Sequence, residues 1–178
     1  MGDVKPFFCV HGHFYQPPRE DPFTGVYREE REAAPYPNWN ARVTAESYQP
    51  LAEAGNFGRI SFNFGGTLAR WMERHAPPVY ERIVHDVQAY YQQYGVVNGL
   101  AQSVHHTILP LARGRDKRCQ IRWGIASFVA RFGYQPQGLW LPEMAVDYDT
   151  LNAVVESGLQ FVVLSEEQVR GDLSAGSR

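Results

Sequence analysis

Five short apolar runs in this chain are followed by side chains able to do acid–base, nucleophilic or hydrogen-bonding chemistry. His11-Gly12-His13 follows the first run, Asn63-Phe64-Gly65-Gly66 closes the second, and Gln102, His105 and His106 follow the third. Pro142-Glu143 follows the fourth, and Ser165, Glu166 and Glu167 follow the fifth. One polar loop after one strand means little, because loops are polar in general. Five in succession at the same end of successive strands argue for one shared site.

The residue types narrow the chemistry. His11 and His13 stand two apart, so an extended strand projects both imidazoles to one side. They can ligate a metal, donate hydrogen bonds to a polar ligand, or serve as hydrogen-bonded scaffold. A metal needs third and fourth ligands, and no carboxylate or histidine set convincingly completes one. No metal or other cofactor is expected; the alternatives are a metal-dependent barrel hydrolase or deacetylase with His11 and His13 as ligands, and a non-catalytic carbohydrate-binding remnant. Glu143 sits directly behind Pro142, at the end of an apolar run that includes Trp140 and Leu141. A carboxylate so held can act as nucleophile or general acid/base, or simply open a helix. Hydrolysis of a glycosidic bond needs two carboxyl groups, about 5–5.5 Å apart when configuration is retained. Asp147, Asp149, Glu166 and Glu167 are available as the second, but each has a simpler capping or surface role. His105 or His106 can hydrogen-bond a sugar hydroxyl or orient its loop. Tyr15, Trp39 and Trp140 offer faces for stacking on sugar C–H patches, core packing being the simpler role for Trp140.

The elements that must position these residues alternate. Phe7-Phe8-Cys9-Val10 reads as a buried strand. Residues 15–50 are rich in Pro, Gly, Glu and Arg and read as irregular until about Val43, a length that usually signals function or disorder. The charged stretch Arg28-Glu29-Glu30-Arg31-Glu32 reads as solvated. Residues 59–64 form a second strand and 68–75 a short helix. Apolar residues recur at helical spacing over 79–94, with Pro77-Pro78 before and Gly95 after. Residues 96–101 form a third, weaker strand, and 117–132 a helix stopped by Gly133. Residues 139–141 form a fourth strand, Asp149 caps a helix ending at Gly158, and 161–164 form a fifth strand. Residues 171–178 read as a flexible tail. Short apolar strands separated by helices imply parallel pairing with crossovers, and such folds bind ligands beyond the C-terminal strand ends. The fold class is therefore α/β, an incomplete parallel barrel with about five strands, filling 1–170 as one domain.

Composition sets the outer limits. With 178 residues and 44% hydrophobic, the chain can bury a core of about 70% of its unfolded surface. Net charge is −2, so no basic field attracts nucleic acid or anionic lipid. No apolar run approaches the ~20 residues of a membrane span, and the first residues lack the apolar core of a secretory signal. Cys9 and Cys119 read as buried thiols, which favours a cytoplasmic protein.

Three segments together resemble family 57 of the glycoside hydrolases, retaining enzymes that act mainly on α-glucans. His11-Gly12-His13-Phe14-Tyr15-Gln16-Pro17 is similar to the family's first region. Asn98-Gly99-Leu100-Ala101-Gln102, leading into His105-His106-Thr107-Ile108-Leu109-Pro110-Leu111, is similar to the second. Gly138-Leu139-Trp140-Leu141-Pro142-Glu143 is similar to the third, a GxWLPE pattern. The three occur in family order over most of the chain, closest to a branch whose members open with a similar HGHFYQPPREDP stretch. The resemblance implies a (β/α)7 barrel and a polysaccharide or oligosaccharide substrate. It implies that Glu143 is the nucleophile, and that His11 and His13 line the sugar subsite with Gln16, His106 and Trp140 near it. Two departures matter. Gln102 stands where the family commonly has Glu, which alters a substrate contact. The family's acid/base Asp belongs to a fourth region that nothing here matches. By the resemblance, the chain is expected to be the N-terminal part of such an enzyme, weak or inactive alone, with the missing C-terminal part of the barrel as its partner. Loss of general acid catalysis typically costs 10²–10⁴-fold.

Overall fold

The computed structural model describes residues 8–169. Its framework is one all-parallel sheet, in the order β1 (His11–Phe14), β2 (Ser61–Phe64), β3 (Gly99–Gln102), β4 (Gly138–Trp140) and β5 (Phe161–Val162). Each strand pairs with the next in sequence, so every connection is a crossover carrying helix. The first crossover holds α1 (Trp39–Val43), a π-helical segment (Thr44–Tyr48) and α2 (Gln49–Glu53). α3 (Gly66–His75) and α4 (Pro77–Tyr94) join β2 to β3, α5 (Gly114–Phe132) joins β3 to β4, and α6 (Tyr148–Glu156) joins β4 to β5. Among the described strands β1 and β5 each lack an outer neighbour, so the barrel is not closed.

Local chemistry explains most boundaries. α4 opens with Pro77 and Pro78, whose missing N–H groups cost nothing in a first turn. It ends at Gly95, which takes the left-handed conformation (φ 64°). α5 stops at Gly133 in the same way (φ 86°). Phe62, on β2, packs edge-on to Phe57 and to Phe132, with ring centroids at 5.5 and 5.9 Å, so the core lies between the sheet and its covering helices. β3 is buried at all four positions, as expected of a central strand covered on both faces.

Several expectations need correction. The first strand is His11–Phe14, four residues later than the apolar run suggested: Phe8 is 92% exposed and Val10 51% exposed. The reason is pairing and alternation. His11 aligns with Ser61 and His13 with Asn63, while Phe14 points to the other face and packs at 4.8 Å on Phe57. Phe7 and the tail 171–178 lie outside the described residues. Cys9 is exposed and Cys119 half-buried, so neither is the buried thiol expected. The cap of α6 is Asp147, which accepts from the Thr150 amide at 2.7 Å, and Asp149 sits inside the first turn. The helical segment after β1 begins at Trp39, where Asn38 accepts from the Ala41 amide at 3.0 Å. Its π-helical turn lies just before Pro50, which has no N–H to give to the preceding turn. Glu30 is not simply solvated: it pairs with Arg19 and accepts from the Trp39 amide at 3.0 Å. No helix among the described residues is long and apolar enough to cross a membrane.

Candidate functional site

Register brings the first polar side chains together. His11 and His13 leave β1 on one side, and Asn63 of β2 lies opposite His13. Asn63 is fully buried, and a buried amide must be satisfied. Its Oδ1 lies 3.2 Å from His11 Nε2 and 3.0 Å from His13 Nδ1. Its Nδ2 donates to Gln102 Oε1 at the end of β3. This network assigns the tautomer of His11. With Nε2–H of His11 donated to Asn63, His11 Nδ1 accepts from Ser61 Oγ at 2.9 Å. His13 Nδ1 also lies 2.9 Å from Asn63 Nδ2, and His13 Nε2 lies 3.3 Å from His106 Nε2. One buried amide therefore bridges both imidazoles of β1 to the end of β3.

Aromatic rings complete the surface. Trp140, at the end of β4, stacks on His11 (5.0 Å, 9°) and on His13 (4.8 Å, 21°). Tyr15 stacks on His106 at 3.7 Å and 10°. The indole N–H of Trp140 and the carboxamide nitrogen of Gln102 are buried without a partner among the described residues. Trp39 is elsewhere, at the start of α1 with the Arg42 guanidinium over its ring.

Glu143 arrives on a strained turn. It lies in a 3-10 turn, Pro142–Met144, with φ 57° and ψ 17°, and Met144 follows at φ 52°. His106 has φ 53°. These are the non-glycine residues at positive φ among those described, and all three lie in the turns after β3 and β4. Left-handed backbone costs a side-chain-bearing residue about 1–2 kcal/mol and persists where surroundings impose it, often at functional sites. Glu143 Oε1 lies 3.9 Å from His106 Nδ1, and its side chain is 67% exposed. The carboxylate thus faces His106, which in turn lies 3.3 Å from His13.

Electrostatics follow from burial and neighbours. Desolvation holds His11 below the ordinary imidazole range; the Asn63 hydrogen bond opposes this, and nearby His13 adds to it. Desolvation and His13 likewise lower His106, against a raising influence of Glu143. Burial, with Glu143 nearby, raises the Tyr15 phenol. Imidazoles beside one exposed carboxylate give a surface of donors and acceptors suited to hydroxyl groups.

The remaining candidates separate. Gln16 is not bonded into the cluster: its Nε2 donates to Tyr48 Oη at 3.4 Å and its Oε1 accepts from Arg19 at 3.1 Å. His105 is exposed, and His106 is the histidine that enters the site. Asp147 is committed to its cap and to Lys117 at 3.2 Å. Both ring nitrogens of His11 are engaged, and among the described residues no group of three His, Cys, Asp or Glu side chains is arranged to hold a metal. In the sequence Asn63 reads only as part of the polar stretch closing the second strand, and its place at the centre of the hydrogen-bond network is not foreseen.

A consecutive parallel sheet whose polar side chains gather along β1 and β2 and at the ends of β3 and β4 defines an α/β chain of the barrel type. The profile of Glycosyl hydrolase family 57 matches residues 9–175, and the chain belongs to that family. It is 28% identical over 107 residues to alpha-amylase 1 of Dictyoglomus thermophilum, covering 60% of this chain and 15% of that protein. It is 43% identical over 56 residues to the 1,4-alpha-glucan branching enzyme of Thermococcus kodakarensis, covering 30% of this chain and 8% of that one. The chain thus matches only a small part of each relative's length. Among solved structures, the exo-type maltose-forming amylase of Pyrococcus sp. ST04 superposes with a TM-score of 0.68 at 20% identity, over 86% of this chain and 28% of that one. The 4-alpha-glucanotransferase of Thermococcus litoralis gives 0.62 at 18% identity, over 89% and 22%. These likenesses establish the shared fold.

Proposed function

We propose that this chain carries the nucleophile and part of the sugar-binding surface of a retaining glycosidase or transglycosylase acting on α-glucans. The observation that carries the reading is Glu143, raised on a left-handed turn past β4 and 3.9 Å from His106, beside imidazoles that stack on Trp140. Family membership and the α-glucan enzymes among the relatives point the same way.

In this reading the Glu143 carboxylate attacks the anomeric carbon, the bond to the leaving oxygen breaks, and a second carboxyl group protonates that oxygen. Water or an acceptor hydroxyl then displaces Glu143 from the glycosyl ester. His13 and His106 line the sugar subsite, where the contact between their Nε2 atoms gives way to sugar hydroxyls, and Tyr15 and Trp140 supply apolar faces. His11, with both nitrogens occupied, holds Asn63 and Trp140 in place, and Gln16 braces the loop after β1. The acid/base is assigned to none of the residues described. The domain is read as one barrel-type unit, and the free edges of β1 and β5 are where added strands would close it.

The test uses an activated aryl α-glucoside or α-glucosyl fluoride, whose good leaving group needs no acid. A glycosyl ester on Glu143, found by peptide mass spectrometry and absent in Glu143→Gln, is the expected result. An ester on any other carboxylate refutes the assignment.

A further inference from the structure

We infer that Gln168 is a positioning residue for Glu143, clamping the turn from which that carboxylate is presented. This role rests on the reading of Glu143 as nucleophile. Glu143 and Met144 are consecutive residues at positive φ, at 57° and 52°. Two backbone bonds close the turn locally, Met144 N–H to the Leu141 carbonyl at 2.8 Å and Ala145 N–H to the Pro142 carbonyl at 3.1 Å. The Met144 carbonyl is taken by neither. It accepts from Gln168 Nε2 at 2.8 Å, across 24 residues of sequence.

Gln168 is itself fixed. It closes the 3-10 turn Glu166–Gln168 past β5, where its Oε1 accepts from the Ser165 amide at 3.1 Å and the Ser165 hydroxyl at 3.3 Å. The two ends of one carboxamide therefore do different work: the oxygen caps its own turn, and the nitrogen holds the neighbouring one. The loop after β5 thereby braces the loop after β4. A turn with two left-handed residues has an extended alternative that relieves its strain, and a bond made only in the strained form shifts the population toward it. Loss of the donor frees Glu143 to leave the position beside His106.

Gln168→Glu separates the two duties. It keeps the capping oxygen, removes the donor and sets a carboxylate oxygen against the Met144 carbonyl; Gln168→Ala removes both. In the full chain, amide exchange at Met144 and Ala145 should rise at least tenfold in Gln168→Glu, with the Thr150 amide unchanged. The maximal rate of ester formation on Glu143 from α-glucosyl fluoride should fall three- to tenfold, with half-saturation moved less than threefold. Unchanged exchange at Met144 and Ala145 overturns the clamp, and faster exchange with an unchanged labelling rate overturns its positioning role. If the native chain labels no carboxylate, or one other than Glu143, the nucleophile reading falls, and the exchange result still decides whether Gln168 holds the turn.

Discussion

Replacing Asn63 by leucine keeps the branching and heavy-atom count of the side chain and deletes the amide. Asn63 is fully buried, and its partners His11, His13 and Gln102 stay behind. Gln102 is 5% exposed, and its nitrogen already lacks a partner, so its oxygen would join it. An orphaned buried polar atom costs about 1–3 kcal/mol. The two imidazoles are more open and can recruit water, so each loses about 0.5–1 kcal/mol. The sum, about 2–5 kcal/mol, is a large fraction of the 5–15 kcal/mol typical of a domain. Urea unfolding should show this as a lowered midpoint at unchanged slope. A second readout is independent of stability. The Asn63 bond opposes the lowering of the His11 pKa, so Asn63→Leu should move the His11 titration further down, as followed by NMR of the ring protons. A stability loss below about 0.5 kcal/mol, together with an unmoved His11 titration, would refute the claim that this amide organises the cluster.

Three further perturbations test the surroundings. A Cβ at Gly124 would lie 1.8 Å from the Gln102 carbonyl oxygen, so Gly124→Ala must push α5 off β3; a loss of several kcal/mol in thermal unfolding is expected, and a neutral outcome would contradict the packing. Arg19 donates to Glu30, Asn40 and Gln16, so Arg19→Met should cost about 1–3 kcal/mol and raise protease cleavage in the segment 17–38, against a native cleavage pattern if the network is dispensable. Acid should weaken the fold in two windows. His11 and His106 titrate below their unfolded value of 6.5, so the unfolded chain binds more protons and stability falls as pH drops below about 6.5 toward their folded values. Asp21 and Asp147 are likewise lowered from 3.8 and add a second loss below about that pH; stability flat from pH 7 to 5 would count against the buried neutral imidazoles.

The framework was legible because the signals are local. Pro77-Pro78 and Gly95 bracket α4, Gly133 stops α5, and each expected strand exists within a few residues of its place. The first strand slipped because an apolar run was taken as its buried face, whereas pairing with Ser61 and Asn63 selects the next four residues and Phe14 supplies the buried side chain. The helical segment from Trp39 was hidden by Pro and charged residues around it, although Asn38 is an ordinary cap. Glu30 looked like one charge in a solvated run because its partner, Arg19, lies eleven residues away across an irregular loop.

The site was half legible for a related reason. Residue types name chemistry, and strand ends name location, so His11, His13, His106, Trp140 and Glu143 could all be found by reading outward from the apolar runs. What joins them depends on register and on backbone conformation, which leave little trace in composition. Asn63 becomes the hub only because β1 and β2 align His13 with it, and a one-residue slip would turn that amide to the other face. Glu143 turns toward His106 because of two left-handed residues that no propensity scale would assign to Glu and Met. The same dependence explains why Gln102 matters beyond its own contacts. As a neutral amide accepting from Asn63, it fixes the orientation of that amide without adding charge, desolvation holds His11 and His106 below the ordinary imidazole range, and the exposed carboxylate of Glu143 is the charge that the cluster offers to a ligand.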